Sequence, residues 1–373
     1  MDKHLHIVAF DVPWPADYGG VIDVFCKIVW LQKFGVKIHL HCIANDRKEQ
    51  KELNKYCYAV HYYKRKKSLS GLSLTIPYIV QSRSNNALLQ KLQQDDYPII
   101  FEGVHCTYFL HKNMLKNRKV FIRLHNVEHK YYHQLAKHET NILKKIYFFW
   151  ESRLLKSYER KLAGKALFFS LSTDDIFFYK SVFKAQKIEF VPAFLPWDNI
   201  NTQTGKGCFC LYHGNLAINE NEKAADWLMN EVFNSLQIPL VIAGKNPSLP
   251  LQTLAQSNAH TCMIINPDDN EMQDLIKKAQ INILPSFNRT GVKLKLLNAL
   301  YNGRHCLVNE AAIQGAAINR LCSIANTADE FKQQVEKLFH QNFTEDDLQK
   351  RRPVLEQIYN NEKNARQLIA WIY

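Results

Sequence analysis

No two cysteines are spaced Cys-x-x-Cys, and the nine present, an odd number, lie scattered along the chain. That excludes a disulfide scaffold and points to reduced, buried thiols in a cytosolic protein. Cys208-x-Cys210 alone is too little for a zinc site. No apolar run reaches the ~18 residues that a membrane-crossing helix needs. Met1–His6 passes straight into an apolar strand with no charged leader region or cleavage signal, so the expected location is cytoplasmic. Internal repeats and low-complexity stretches are absent too. With 46% hydrophobic and 22% charged residues, the composition excludes a disordered chain.

What is present in excess is positive charge, and it is unevenly placed. The net charge is +13, while residues 1–190 hold 31 Lys and Arg against 17 Asp and Glu. Residues 191–373 are nearly balanced, with 17 against 18. An anionic partner would therefore meet the N-terminal half, and an anionic membrane surface or a phosphorylated acceptor both fit. Nucleic acid fits the charge as well, but the chain has no recognition motif and its aromatics do not interleave with its basic runs, so none is expected as a partner.

At 373 residues the chain is long enough for two cores. Leu5–Phe10 reads as a buried strand. A turn-rich loop, Pro13–Gly20, leads into a helix over Val21–Phe34 with apolar residues at helical spacing, and Gly35 stands where a helix-ending glycine should. Val36–Ile43 is the next strand. This β-loop-α-β unit is of the doubly wound kind, whose ligand crevice lies at the carboxyl ends of the strands. Strands at 99–101, 120–124, 167–171 and 188–191 continue the series. Residues 193–207 are polar, carry Pro196, Gly205 and Gly207, and read as a linker. A second series follows, with strands at 208–212, 240–243, 263–265, 281–284 and 305–308. The expected organisation is an N-terminal domain over 1–192 and a C-terminal domain over 208–357. A last helix, about 358–373, is expected to pack back on the first domain.

The stretch richest in chemistry is 281–303. A buried strand ends at Pro285, a polar turn follows from Ser286, and a helix is expected to open near Thr290–Gly291. The first amides of a helix have no internal partners. Together with the helix dipole they form an anion site suited to a diphosphate. Gly291 allows close backbone approach, and Lys293 adds a full charge.

The order strand, Pro285-Ser286, Gly291-x-Lys293-x-Lys295, Asn298-Ala299, Gly303, then strand resembles the donor site of family 4 GT-B glycosyltransferases. Further stretches carry the resemblance: Gly19-Gly20 in the opening loop, His125-Asn-Val-Glu128, Ser170–Asp175, His213-Gly214-Asn215 and Ala243-Gly244-Lys245. It implies an α/β, GT-B fold of two Rossmann-like β/α/β domains facing across a cleft. It further implies a nucleotide diphosphate sugar as substrate, a glycan or lipid-linked acceptor, retention of anomeric configuration, and no cofactor. On this reading Gly214, Asn215, Lys245, Ser286, Thr290, Gly291, Lys293 and Asn298 bind the donor. Asp17, Gly19, Gly20 and His125 face the acceptor or the moving sugar. His125, Lys245 and Lys293 carry the catalysis.

Two departures stand out. The family often shows a Glu-x7-Glu pair across the same turn, and here those positions are Thr290 and Asn298. Many members place an Arg after the first glycine of the C-terminal domain, where this chain has Asn215. A catalytically weakened sugar-nucleotide-binding homologue, or an epimerase of the UDP-sugar 2-epimerase kind, therefore stays open as an alternative. No Asp-x-Asp occurs, so the metal-diphosphate grip of GT-A enzymes is not expected and no metal ligand is assigned. The leaving diphosphate must then be met by cations and backbone dipoles. One long helix, 141–162, carries Leu143, Tyr147, Trp150, Leu154, Tyr158 and Leu162 as a stripe expected to be core. Its lysines and arginines, with the basic stretch Lys64–Lys67 before Leu69–Leu74, suit either solvent or a peripheral position at the inner membrane surface.

Overall fold

The computed structural model describes residues 2–67 and 73–373, so residues 69–72 of the stretch after the basic loop lie outside the described residues. The chain divides into two compact units, Met1–Pro196 with Tyr359–Tyr373, and Trp197–Ile358.

The first unit is built on a seven-stranded sheet: β1 (Lys3–Ala9), β2 (Val36–Ala44), β3 (Ala59–Lys64), β4 (Ile99–Glu102), β5 (Val120–Leu124), β6 (Leu167–Ser170) and β7 (Ile188–Phe190). All neighbours pair in parallel, in the order β3-β2-β1-β4-β5-β6-β7. The second unit repeats the winding with β8 (Cys210–Asn215), β9 (Leu240–Lys245), β10 (Thr261–Ile265), β11 (Ile281–Ile283), β12 (His305–Val308) and β13 (Ser323–Ile324), in the order β10-β9-β8-β11-β12-β13. Both units are thus Rossmann-like, and in each the strand order reverses between the first and fourth strands. A reversal of this kind opens a crevice at the carboxyl ends of those two strands. Central strands buried on both faces explain the continuous apolar runs Ile7–Ala9 and Ile99–Phe101.

Several sequence expectations change in detail. The 193–207 segment is not a free linker. Ala193, Phe194 and Leu195 are buried in the first unit. Asn201 and Thr202 bond the Tyr301 carbonyl in the second unit, and Gly205 pairs with Phe343. The Asn201 amide, the Thr202 hydroxyl and the Gly205 backbone bond the unit they border, which composition does not reveal. Glu345–Ile358 belongs to the second unit, while the last helix, expected over about 358–373, is Asn361–Ile372 and belongs to the first. The latter buries Ala365, Leu368 and Ile372 in the core formed by Val24, Ile28 and Leu31. The Asn361 side chain takes Leu195 N–H at 3.0 Å and donates to Leu195 O at 2.7 Å. The thiols are all free, but Cys208 and Cys262 are exposed rather than buried. Among the described residues no helix is long and apolar enough to cross a membrane.

The long helix, Ile142–Leu162, also departs from its expected packing. Leu155, Tyr158 and Leu162 are core, while Leu143 and Trp150 of the same stripe are exposed. The buried arc rotates onto Glu151, Ser152 and Glu159 because those side chains bond neighbouring backbone. In the basic stretch, Arg65 bonds Ser82, Lys66 bonds Ser84 and Lys67 pairs with Asp46, so its charges partly serve to hold the loop.

One face of the first sheet collects His4 and His6 from β1, His39 and His41 from β2, and His61 from β3. His6 Nδ1 lies 2.8 Å from His41 Nε2, and His6 Nε2 bonds Asp95 at 3.0 Å. Burial lowers the pKa of His6, His41 and His61, and takes His39 down to about 4. In the unfolded chain these rings titrate near 6.5. At these rings the folded state therefore holds fewer protons, and the stability they contribute is complete above about pH 6.5 and is lost as the pH drops toward 4. The slope should reach about 1.4 kcal/mol per pH unit for each proton taken up. Melting curves in steps from pH 7.5 to 4 check this, and a flat melting temperature across that window contradicts it.

Candidate active site

In the second unit the candidate residues gather at the reversal between β8 and β11. Gly214 and Asn215 end β8, and Lys245 ends β9 directly beside Asn215 in the strand register. Lys245 is exposed. Asn215 accepts Ala217 N–H through its side chain, and its carbonyl takes Asn221 Nδ2 at 3.0 Å. Asn221 in turn accepts from Lys295 Nζ at 3.1 Å, and the same ammonium lies 3.3 Å from Tyr212 Oη and over the Tyr212 ring. A chain of contacts thus joins the first glycine turn to the Gly-x-Lys-x-Lys segment.

The turn after β11 is held by its own side chains. Asn288 Oδ1 accepts both the amide and the hydroxyl of Thr290, at 2.8 and 2.7 Å. Gly291 has φ of +69°, a left-handed conformation that disfavours other residues. These features keep 288–292 out of the helix, which begins at Leu294 with Lys293 as its N-cap, later than the Thr290–Gly291 start expected from sequence. The unpaired first-turn amides are accordingly those from Leu294 onward. Lys293 Nζ donates to Thr290 O at 2.7 Å. Asn298 is buried, and its side-chain carbonyl accepts Asn302 Nδ2 at 2.8 Å, so its free capacity is largely that of an amide donor.

Sequence reading missed two residues here. Glu220 reaches the turn from the segment after β8: Oε1 accepts the Ser286 hydroxyl at 2.8 Å, and Oε2 takes Asn288 Nδ2 at 3.2 Å. A carboxylate is therefore present beside the turn although Thr290 and Asn298 are neutral. It comes from a helix 66 positions before Ser286, where no local pattern marks it. Lys295 was part of the recognised motif, but nothing in its spacing showed that its ammonium enters the site. Burial lowers the pKa of Lys293, and takes that of Lys295 to about 8 against the opposing pull of Glu220.

If Lys295 must be charged to hold an anion, affinity for that anion weakens as pH rises through 8. Binding to the protonated form alone gives about a tenfold loss between pH 7 and pH 9. Titrating a nucleoside diphosphate calorimetrically at the two values tests this; equal affinity rules out a titrating Lys295 in the site.

In the first unit His125 follows β5 and packs edge-on against Phe10. Its Nε2 lies 3.0 Å from Glu102 Oε2. Glu102 Oε1 meets Lys27 Nζ at 2.7 Å, Lys27 meets Asp23 at 3.3 Å, and Asp23 is bonded by Arg123 at 2.7 and 3.0 Å. Arg123 also donates to the carbonyls of Val191 and Pro192. Burial opposes ionisation of Asp23 and Glu102, but the charges of Arg123 and Lys27 outweigh it and hold Asp23 well below the usual carboxylate range, with Glu102 lowered by Lys27 and His125. Asp23, Glu102 and His125 offer ligand atoms within 4.8 Å of one another, and the Lys27 ammonium stands against both carboxylates. With Glu102 ionised, the His125 ring donates to it through Nε2.

The remaining acceptor-side candidates lie between β1 and the start of the helix Gly19–Lys33. A β-carbon on Gly20 would stand 2.8 Å from the Phe10 ring, the ring that contacts His125. Gly19 opens the helix Gly19–Lys33. Asp17 is paired with Arg47, which also bonds the carbonyls of Val12 and Pro15 and straps the loop down. Glu128 of the His125-Asn-Val-Glu128 segment is buried, and burial with the neighbouring Glu159 raises its pKa to about 8.

Residues 208–341 match the family model described as glycosyl transferases group 1. A Klebsiella pneumoniae protein described as an uncharacterized 44.6 kDa protein in the cps region is 26% identical over 340 residues, covering 84% of each chain. Sucrose-phosphate synthase from Thermosynechococcus elongatus superposes with a TM-score of 0.72 at 12% identity, covering 99% of this chain and 98% of that one. HepE from Anabaena, solved with UDP and glucose, superposes with a TM-score of 0.64 at 11% identity, covering 99% of both. The class that fold and family match define is a GT-B glycosyltransferase. The segment matched by the family model includes every donor-side candidate named above.

Proposed function

We propose that this protein moves a sugar from a nucleoside diphosphate sugar, held by the second unit, to a glycan or lipid-linked acceptor held by the first. The reading rests on one observation above others: Lys293, Lys295 and the first-turn amides of the helix Leu294–Asn302 converge at the β8–β11 reversal. They supply positive charge where a leaving diphosphate would develop negative charge, without a metal ion. Lys245 adds a flexible cation from the end of β9. Ser286, Thr290 and Gly291 shape the turn, Gly214 and Asn215 border it, and Asn298 addresses ribose or sugar hydroxyls. Asp17, Gly19 and Gly20 form the acceptor-side loop, and His125 offers Nδ1 to a hydroxyl of the transferring sugar. Retention of configuration, with no protein nucleophile required, rests on the resemblance to family 4-type enzymes. The position of the K. pneumoniae relative in a cps region agrees with a role in polysaccharide assembly.

A thermal-shift screen over UDP-, GDP-, ADP- and dTDP-sugars tests the reading. Ligand at a hundred times its Kd stabilises the native state by about 2.7 kcal/mol. A uridine nucleotide is the first to try, because HepE was solved with UDP and glucose. A rise in melting temperature with one nucleotide class is expected; no shift with any of the four sinks the proposal.

A further inference from the structure

The N-terminal half of the helix Ile142–Leu162 leaves a large apolar surface without a partner in its own unit. Ile142, Leu143 and Ile146 are 73%, 79% and 60% exposed, and Phe149 and Trp150 are about half exposed. Their spacing, i, i+1, i+4, i+7 and i+8, puts all five on one face of the helix. Single exposed hydrophobics are ordinary, but five contiguous ones on one helix face are a binding surface.

The charge on the same helix is one-sided in a way the sequence conceals. Lys144, Lys145, Arg153, Lys156, Arg160 and Lys161 are all exposed. The two carboxylates of the helix are turned inward and used there. Glu151 accepts the Ile79 amide, and Glu159 accepts the amides of Glu128 and His129, the His129 ring and the Tyr179 hydroxyl. The solvent side of this helix therefore shows six cations and no carboxylate. Arg153 lies over the Phe149 ring, so the cationic and apolar parts are one continuous surface.

We propose that this face docks the protein on an anionic lipid bilayer, with Ile142, Leu143, Ile146, Phe149 and Trp150 entering the acyl boundary and the basic residues meeting the phosphate headgroups. Interfacial helices bury a few aliphatic and aromatic side chains at the headgroup level and gain from attraction to anionic lipid. Long basic side chains extend past the apolar residues to the headgroups. A second copy of the chain fits poorly, because a two-fold contact would set the same six cations against themselves. Nucleic acid would match the charge, but Ile142, Leu143 and Ile146 offer no ring on which a base could stack. The docking stands or falls apart from the transfer reaction, and would bring the first unit to lipid-borne acceptors.

The test is co-sedimentation of the full chain with phosphatidylcholine vesicles, with and without phosphatidylglycerol. Binding is expected only to the anionic vesicles, and weaker in raised salt. Lys156→Gln with Arg160→Gln should weaken partitioning about 30-fold, at roughly one factor of five per cation. Ile146→Asn with Phe149→Asn should abolish it. All four sites are exposed, so the variants should melt like the wild type and keep any donor-induced rise in melting temperature. Equal binding to neutral vesicles, no binding to anionic ones, or variants that bind like the wild type overturn the proposal. So does self-association that the Ile146→Asn, Phe149→Asn variant removes while vesicles fail to bind.

Discussion

Replacing Lys295 by Met should lower kcat/KM for the sugar donor by about 10²–10³-fold, or roughly 3–4 kcal/mol, while leaving the protein folded. Lys295 is the cation most firmly placed at the β8–β11 reversal. Its ammonium is fixed by Asn221 Oδ1, by Tyr212 Oη and by the Tyr212 ring. A charge already held in place needs no rearrangement when negative charge develops beside it, and burial makes it act in a poorer dielectric. Methionine keeps the length and apolar stem that pack on Tyr212 and removes the charge alone. Lys295→Ala should therefore lose the same activity and some stability besides. Lys245→Ala, at an exposed side chain without such a framework, should cost less. If Lys295→Met retains wild-type turnover and KM, the diphosphate does not sit where we place it.

The second large effect belongs to the other unit. Asp23→Ala should destabilise the first unit by about 3–5 kcal/mol, because it leaves two buried cations with only one carboxylate between them. Asp23 accepts two bonds from Arg123, one from Lys27 and one from the Phe194 amide, and both cations are at most 1% exposed. Domains of this size are stable by about 5–15 kcal/mol, so the loss is a large share of the whole. Asp23→Asn preserves shape and the acceptor for Phe194 but not the charge, and should be nearly as harmful. Urea unfolding followed by circular dichroism reads this as an earlier transition for the first unit, with the second unit's transition unmoved. A change under about 1 kcal/mol would show that Glu102 alone neutralises the pair. Activity of any folded Asp23→Asn protein carries a further reading, because Lys27 links Asp23 to the Glu102 that orients His125.

Much of the architecture was legible because it depends on local pattern. Apolar strands alternate with helices of 3.6 periodicity, and that order alone specifies two doubly wound units. The strands that escaped were β3 and β13. The first lies at a sheet edge and mixes His61, Tyr62 and Tyr63 on its two faces, and the second has two residues. The helix Ile142–Leu162 misled because its apolar stripe is real but only its C-terminal half has a core to face. The site was legible where one segment carries it. The turn from Ser286 to Asn298 announces itself through strand, turn glycine and paired lysines. Glu220, and the path from Asp23 through Lys27 and Glu102 to His125, were not legible. Each contact there joins residues far apart in sequence, Asp23 to Arg123 across a hundred positions. Such pairs are set by which strands the topology makes neighbours, and charge counts are blind to that.

The central claim is a diphosphate cradle in the second unit that works through lysines and helix amides without a metal. Its most direct test is calorimetric titration of the sugar donor identified by thermal shift, in EDTA, into wild-type and Lys295→Met protein. The account predicts that wild-type binding survives EDTA unchanged and that the variant binds at least tenfold more weakly. Binding that vanishes in EDTA, or that is equal in the two proteins, would contradict it.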